Sequence, residues 1–268
     1  MAYLDDLENK SIYIIREAYW EYRDKLAVLW SIGKDSTAML HLARKAFFGK
    51  IPIPVVHIDT SYKFKEIYEF RDEYAKKWEL GLVIIRNEDA LKFGMSPEKN
   101  KLDCCTALKT NALKNCIKQY GFKALLLGIR RDEHAIRAKE RVFSPRNHNF
   151  QWDYHNQPAE LWEQYNKTTN SEGEHFRIHP MLGWTELDIW RYIQRENLPI
   201  VDLYFAKNGM RYRSIGCQTC CTPIPSLARS VTDIIKELET INTPERAARA
   251  QDKEEAYMMQ KLRALGYM

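Results

Sequence analysis

The sequence has no apolar run approaching the roughly 20 residues needed to span a bilayer. Its first residues, MAYLDDLENK, are acidic and polar, with neither the basic nor the apolar stretch of a signal peptide. A cytoplasmic protein with no membrane partner is therefore expected. There is no G-x-x-x-x-G-K-[ST] phosphate loop, no H-E-x-x-H metal motif and no recognisable Ser/His/Asp set. The loop after the first strand has too few glycines for a dinucleotide fingerprint. The seven histidines are scattered, and His57, inside an apolar run, reads as structural. No internal repeat is visible, and no cysteine follows Cys221.

What is present is an ordinary globular composition. The 268 residues are 45% hydrophobic and 29% charged, enough to bury a core. The net charge of +5 is mild and mixed, so it tolerates anionic ligands without by itself indicating nucleic acid. Short apolar runs at 25–30, 53–60, 81–87 and 123–130 read as buried parallel strands. Helical spacing fills 3–24, 36–48, 65–79, 106–120 and 185–197, the last with Thr185 as N-cap. This alternation predicts an α/β fold with a doubly wound, mainly parallel sheet. The pattern stops over 144–175, which reads as a lid or insertion loop, and 222–268 reads as a helical C-terminal tail.

Ligands of such sheets sit at the carboxyl ends of strands. Ser31-Ile32-Gly33-Lys34-Asp35-Ser36 lies at one such end and leads into a helix, whose N-terminus attracts anions. Gly33 allows close backbone approach, Lys34 adds charge, Asp35 anchors the loop, and Ser36 and Thr37 offer capping hydroxyls. On spacing alone this is either a phosphate cradle or an ordinary capped turn. Asp59 ends the second strand, as a ribose or metal contact or as a strand-end cap. After the fourth strand, Gly128 permits close ligand approach, and Arg130 and Arg131 suit bidentate oxyanion binding. Asp132 and Glu133 would orient them; the alternative is a solvated helix start laced with ion pairs. Arg137, Lys139 and Arg141 continue the basic run.

The six cysteines are clustered, which in a cytoplasmic chain points to metal or redox chemistry before disulfides. Cys104-Cys105 and Cys217-x-x-Cys220 suit a four-thiolate iron–sulfur or zinc site. Cys116 sits in a helical pattern and reads as structural.

The SIGKDS loop resembles the SGGxDS loop of the N-type ATP pyrophosphatases, the PP-loop family with the adenine nucleotide alpha-hydrolase-like fold. Ile32 stands where many members have the first of two glycines, and SIGKDS is the form of the subgroup that handles sulfate. HIDTSYKFKEIYEFRD (57–72), GIRRDEHAIRAKER (128–141), PMLGWTELDIWRYI (180–193) and ERAARAQDKE (245–254) resemble the small, catalytic subunit family of two-subunit sulfate adenylyltransferases. The resemblance implies a nucleotidyltransferase domain over 1–221 that uses ATP with Mg²⁺. ATP and sulfate would give adenosine 5′-phosphosulfate and pyrophosphate, with a GTPase large subunit as partner and an oligomeric assembly. Lys34, Asp35, Arg130 and Arg131 would serve catalysis. Ser31, Gly33, Ser36, Asp59, Gly128, Asp132 and Glu133 would help bind the nucleotide.

The cysteine set is similar to the CC…CxxC of assimilatory adenosine phosphosulfate reductases, which implies a [4Fe-4S] cluster ahead of zinc. Those reductases carry a nucleophilic cysteine near the C-terminus, which this chain lacks. The quartet departs from the pattern of the sulfate adenylyltransferase small subunits. It admits an alternative, an ATP pyrophosphatase of DNA phosphorothioation or tRNA thiolation working with a cysteine desulfurase.

Overall fold

The first apolar run becomes β1 (Leu26–Leu29), and its side chains alternate between two cores. Leu26, Val28 and Trp30 enter one core, Ala27 and Leu29 the other, as a strand buried on both faces requires. The computed structural model describes residues 2–152, 154–155, 157–167, 174–241, 243–248, 261–262 and 265–266. Parts of the expected 144–175 loop, of the 222–268 tail and of the 245–254 motif lie outside the described residues.

β2 (Val55–Ile58), β3 (Leu82–Ile85), β4 (Ala124–Leu126), β5 (Phe143–Arg146) and β6 (His175–Ile178) complete a six-stranded sheet in the order β3-β2-β1-β4-β6-β5. All pairings are parallel except β5 with β6. The chain moves outward from β1 through β2 to β3, then returns to place β4 on the other side of β1. Its crossover helices follow that reversal. α1 (Ala2–Tyr22), α2 (Lys34–Ala46) and α3 (Lys65–Lys77) pack in the Leu26 core. Two short helices follow β3, α4 (Glu88–Lys92) and α5 (Lys101–Cys105), and then α6 (Ala112–Tyr120) packs in the Ala27 core on the opposite face. Right-handed crossovers demand this change of face. The reversal opens a crevice between the carboxyl ends of β1 and β4.

Past the sheet, α7 (Glu186–Glu196) starts with a capping box, Thr185 and Asp188 each bonding the other's backbone N–H. A small antiparallel pair, β7 (Met210–Arg211) and β8 (Ile224–Pro225), precedes α8 (Val231–Thr240), which packs beside α7.

Three sequence expectations are corrected. The helix after β1 starts at Lys34, not Ser36, so Gly33 is its N-cap and provides no side-chain bond. The 106–120 helix is a π-helix over Thr106–Asn111 running into α6. The expected 144–175 loop is framed by two strands that periodicity did not reveal. His175-Phe-Arg-Ile178 and Phe143-Ser-Pro-Arg146 place His175, Arg146 and Arg177 in the interior, where an apolar pattern cannot mark them.

Candidate active site

A cleft of about 1030 Å³, counting space open to solvent, lies at the carboxyl ends of β1, β2 and β4. Leu29, Val56, Ile58, Leu127 and Ile129 give it an apolar floor. Ser31, Gly33, Lys34, Asp35 and Ser36 form one wall, and Lys63, Lys109, Arg137 and Arg246 bring positive charge.

The loop's shape comes from Ile32, not Gly33. Ile32 has φ of 70°, the left-handed region that a β-branched residue avoids, whereas Gly33 has φ of −70°. The Ile32 side chain is held in the main core, which keeps the backbone in that conformation. Bonds around the turn fix the rest. Ser36 Oγ donates to Gly33 O at 3.0 Å, Trp30 Nε1 donates to Thr37 Oγ1 at 3.1 Å, and Lys34 N donates to the Tyr204 hydroxyl at 2.8 Å. Gly128 touches this loop directly. A Cβ there would stand 2.9 Å from Asp35 O and 3.0 Å from Ser36 Cα, so Gly128 admits the loop's backbone rather than a ligand.

At the mouth of α2 is a dense set of charges. Lys34, 1% exposed, donates through Nζ to Asp35 Oδ2 at 3.0 Å and also to Glu245 Oε1. Arg130, fully buried, donates to Asp35 Oδ1 at 2.7 Å, to Asp132 Oδ1 at 2.5 Å and to Glu245 Oε2. Asp132 Oδ2 accepts from Glu186 N at 2.8 Å, joining this set to the start of α7. Glu186 pairs with Arg213 at 2.7 Å. Burial opposes the charge on Lys34, but Asp35, Glu245 and Glu186 outweigh it, so the ammonium stays protonated far above neutrality. Burial likewise opposes the Glu245 carboxylate, yet Lys34 and Arg130 hold its pKa well below the usual range. Asp132 and Glu186 are shifted upward, first by burial.

Ser31, Gly33, Lys34, Asp35, Ser36, Gly128 and Glu133 line the cleft, and Arg130 and Asp132 stand directly behind it through their bonds to Asp35 and to each other. Glu133 pairs with Arg137 and with Arg246, the latter at 3.3 Å. Two expected residues are placed elsewhere. Arg131 is exposed and reaches Glu140 O at 3.4 Å, outside the cleft lining. Asp59 is engaged by Arg86 at 2.5 Å, the Tyr68 hydroxyl at 2.9 Å and Ser61 N at 2.8 Å, and is outside the cleft lining. Sequence reasoning missed Tyr204, Glu186, Arg213 and Glu245 as site residues. Glu245 lies inside the quoted 245–254 motif, but no local spacing connects it with Lys34.

Cys104, Cys105, Cys217 and Cys220 are buried, none is in a disulfide, and they act on one another electrostatically although they come from distant parts of the chain. Burial first, then Cys105 and Cys217, push the Cys104 thiol up to about 12, and Cys220 also contributes. Lys109, on the π-helix, lines the cleft and acts in the opposite direction on Cys104 and Cys220, so the thiol group adjoins the cleft. Thr60 Oγ1 lies 3.2 Å from Cys217 Sγ. Among the described residues no three His, Cys, Asp or Glu side chains are grouped as a metal-ion site. Cys116 is buried on α6 in the Ala27 core, and Cys221 Sγ accepts from Gly216 N at 3.0 Å.

Residues 25–223 match the phosphoadenosine phosphosulfate reductase domain model. Among solved structures, the chain resembles Candida glabrata FMN adenylyltransferase in complex with ATP, at 18% identity and a TM-score of 0.61 over 94% of this chain and 89% of that one. It also resembles the phosphate complex of Candida auris phosphoadenylyl-sulfate reductase, at 18% identity and a TM-score of 0.54 over 84% and 97%. These establish the adenine nucleotide alpha-hydrolase-like fold. Sequence relatives go further. Sulfate adenylyltransferase subunit 2 of Aeromonas hydrophila is 41% identical, covering 100% of this chain and 98% of that protein. The protein of the same name from Vibrio vulnificus matches to the same extent. Kinship of this depth over both full lengths is decisive: the chain belongs to the sulfate adenylyltransferase subunit 2 family of nucleotidyltransferases.

Proposed function

We propose that the chain activates sulfate. A sulfate oxygen attacks the α-phosphorus of ATP, the bond to the β-phosphate bridging oxygen breaks, and adenosine 5′-phosphosulfate and pyrophosphate result. One observation carries this reading: an apolar floor, the N-terminus of α2 with Lys34, and the basic side chains Lys63, Lys109, Arg137 and Arg246 meet in a single cleft. The floor suits the adenine ring. The Lys34 ammonium and the N-terminus of α2 suit the β- and γ-phosphates. Magnesium enters with ATP as part of the substrate, held by phosphate oxygens and water. The protein's task is then positioning and charge neutralisation. Asp35, gripped by Lys34 and Arg130, orients those two cations. Lys63, Lys109, Arg137 and Arg246 supply the charge that an incoming sulfate dianion needs.

The relatives' name implies a large-subunit partner, and we take that partner to be a GTPase that drives the unfavourable reaction. Cytoplasmic location and an oligomeric assembly belong to the same reading. The relatives support it and lend nothing to the nucleic-acid alternative. We also propose that Cys104, Cys105, Cys217 and Cys220 hold a [4Fe-4S] cluster once their side chains close on it; the support is the chemistry of four buried thiols near Lys109, which in this structure are not yet grouped as a ligand set. Such a cluster would fix the 101–111 and 216–221 segments at the cleft edge and set the local charge. Anaerobically purified protein should be brown, with absorbance near about 400 nm. Colourless protein carrying one zinc would replace the cluster with a structural ion, and active metal-free protein would remove both.

The test of function is stoichiometric. Purified chain with its large subunit should release one pyrophosphate per adenosine 5′-phosphosulfate, only when sulfate is present. Pyrophosphate release independent of sulfate would refute the assignment.

A further inference from the structure

Glu245 is far from the loop in sequence and inside it in space. Its carboxylate accepts from Lys34 Nζ on one oxygen and from Arg130 Nη2 on the other. It starts a short 3₁₀ turn, Glu245–Ala248. Arg213 holds the approach to that turn, donating from Nη1 to Thr243 O at 2.8 Å. The adjoining residue, Arg246, lines the cleft itself.

Charge balance makes this contact consequential. Lys34, Arg130 and Arg213 face Asp35, Asp132, Glu186 and Glu245, three positive charges against four negative. With Glu245 in place, the cations that should receive a phosphate already have a full complement of carboxylates. A polyphosphate cannot share them with Glu245 without bringing like charges together at the buried end of the cleft, where Coulomb repulsion is strong. With Glu245 withdrawn the remaining groups balance, and Lys34 and Arg130 each regain a donor for a phosphate oxygen.

We propose that Glu245 is an exchangeable occupant of the phosphate site. Its carboxylate and the pyrophosphate moiety compete for Lys34 and Arg130, and residues 243–248 swing when one replaces the other. This inference rests on the reading of the Lys34 loop as the phosphate site. It gives the chain a built-in counter-ion that keeps two buried cations paired between turnovers. It also gives it a competitor that hastens pyrophosphate departure. Because Arg246 follows Glu245 in the chain, the same swing repositions a cation on the cleft wall.

Titration calorimetry with magnesium pyrophosphate on the full chain tests the exchange. Glu245→Gln keeps the side chain's shape and removes its charge, and should bind pyrophosphate about 10-fold tighter than wild type. Adenosine, which carries no phosphate, should bind both proteins equally. Pyrophosphate binding equal to or weaker than wild type in folded Glu245→Gln overturns the proposal. A second measurement avoids the variant. In wild-type protein, pyrophosphate should speed amide hydrogen exchange across 243–248, and slowed or unchanged exchange there overturns the swing. Lys34→Ala separates the two claims. It should abolish pyrophosphate binding, and retained binding would refute the phosphate-site reading itself. Loss in Lys34→Ala with no gain in Glu245→Gln would refute only the exchange.

Discussion

Lys34 shows how a single side chain links fold and chemistry. Its backbone opens α2, its amide donates to Tyr204, and its ammonium is buried among carboxylates that keep it charged. On the proposed function, losing that charge would remove the main donor for a departing pyrophosphate. Lys34→Ala should lower kcat/KM for ATP by at least about 100-fold, the scale of losing one preorganised charge donor. A steady-state assay checks this, and a drop below about threefold would contradict it. Ile32 sets two effects against each other. Its left-handed backbone costs about 1–2 kcal/mol, which glycine would relieve. Its side chain, 1% exposed, is part of the main core, and removing a buried isoleucine costs about 2–5 kcal/mol. Packing wins, so Ile32→Gly should lower unfolding stability by about 2 kcal/mol in urea titrations. A gain in stability would mean the strain dominates.

At the scale of elements, the site is a contact between the α2 loop and the end of β4. Gly128 is the hinge of that contact, since an added methyl meets backbone on both sides of the Asp35 peptide. Gly128→Ala should displace the loop and cut kcat/KM by more than about 10-fold, with the sheet still folded by circular dichroism. Wild-type kinetics in that variant would contradict the packing argument. The start of α7 offers a milder case. Thr185→Ala removes half of a capping box and should cost about 1 kcal/mol without affecting ATP binding. Much of this level was legible from residue order. The strands at β1, β2, β3 and β4, the Thr185 cap and the loop at a strand end all follow from local pattern. β5 and β6 did not, because Arg146, His175 and Arg177 are buried polar residues whose burial is decided by distant partners. Lys34 and Arg130 were found from charge and position. Glu245 and Glu186 were not, because an ion pair spanning the chain leaves no periodic trace. Asp59 and Arg131 were singled out for their strand-end positions and residue type, and their bonds to Arg86, Tyr68 and Ser61, and to Glu140, are set by tertiary contacts that neither signal reveals.

At the scale of the whole molecule, buried histidines tie stability to pH. His57 Nδ1 donates to Trp30 O at 2.9 Å, and His179 Nδ1 donates to Arg141 O at 2.8 Å. Burial is the main force lowering both pKa values, His57 to about 3. Each ring is therefore neutral in the folded state while the unfolded chain takes up protons below about pH 6.5. The unfolded state binds more protons, so stability must fall as pH falls through that window. The two histidines together should remove about 3 kcal/mol between about pH 6.5 and pH 5. Urea titrations across this range should show the slope, and it should fall to about half in His57→Asn, with the His179 contribution remaining. A pH-independent midpoint would contradict the burial argument.

The same whole-molecule view governs function, because the reading joins cleft, family and partner. The most direct measurement follows both products in one reaction. Purified chain and its large subunit are supplied with ATP, magnesium, GTP and sulfate, and adenosine 5′-phosphosulfate and pyrophosphate are quantified together. The account predicts equal amounts of the two, strict dependence on sulfate, and loss of both in Lys34→Ala. Pyrophosphate formed without sulfate, or product formed undiminished by Lys34→Ala, would contradict it.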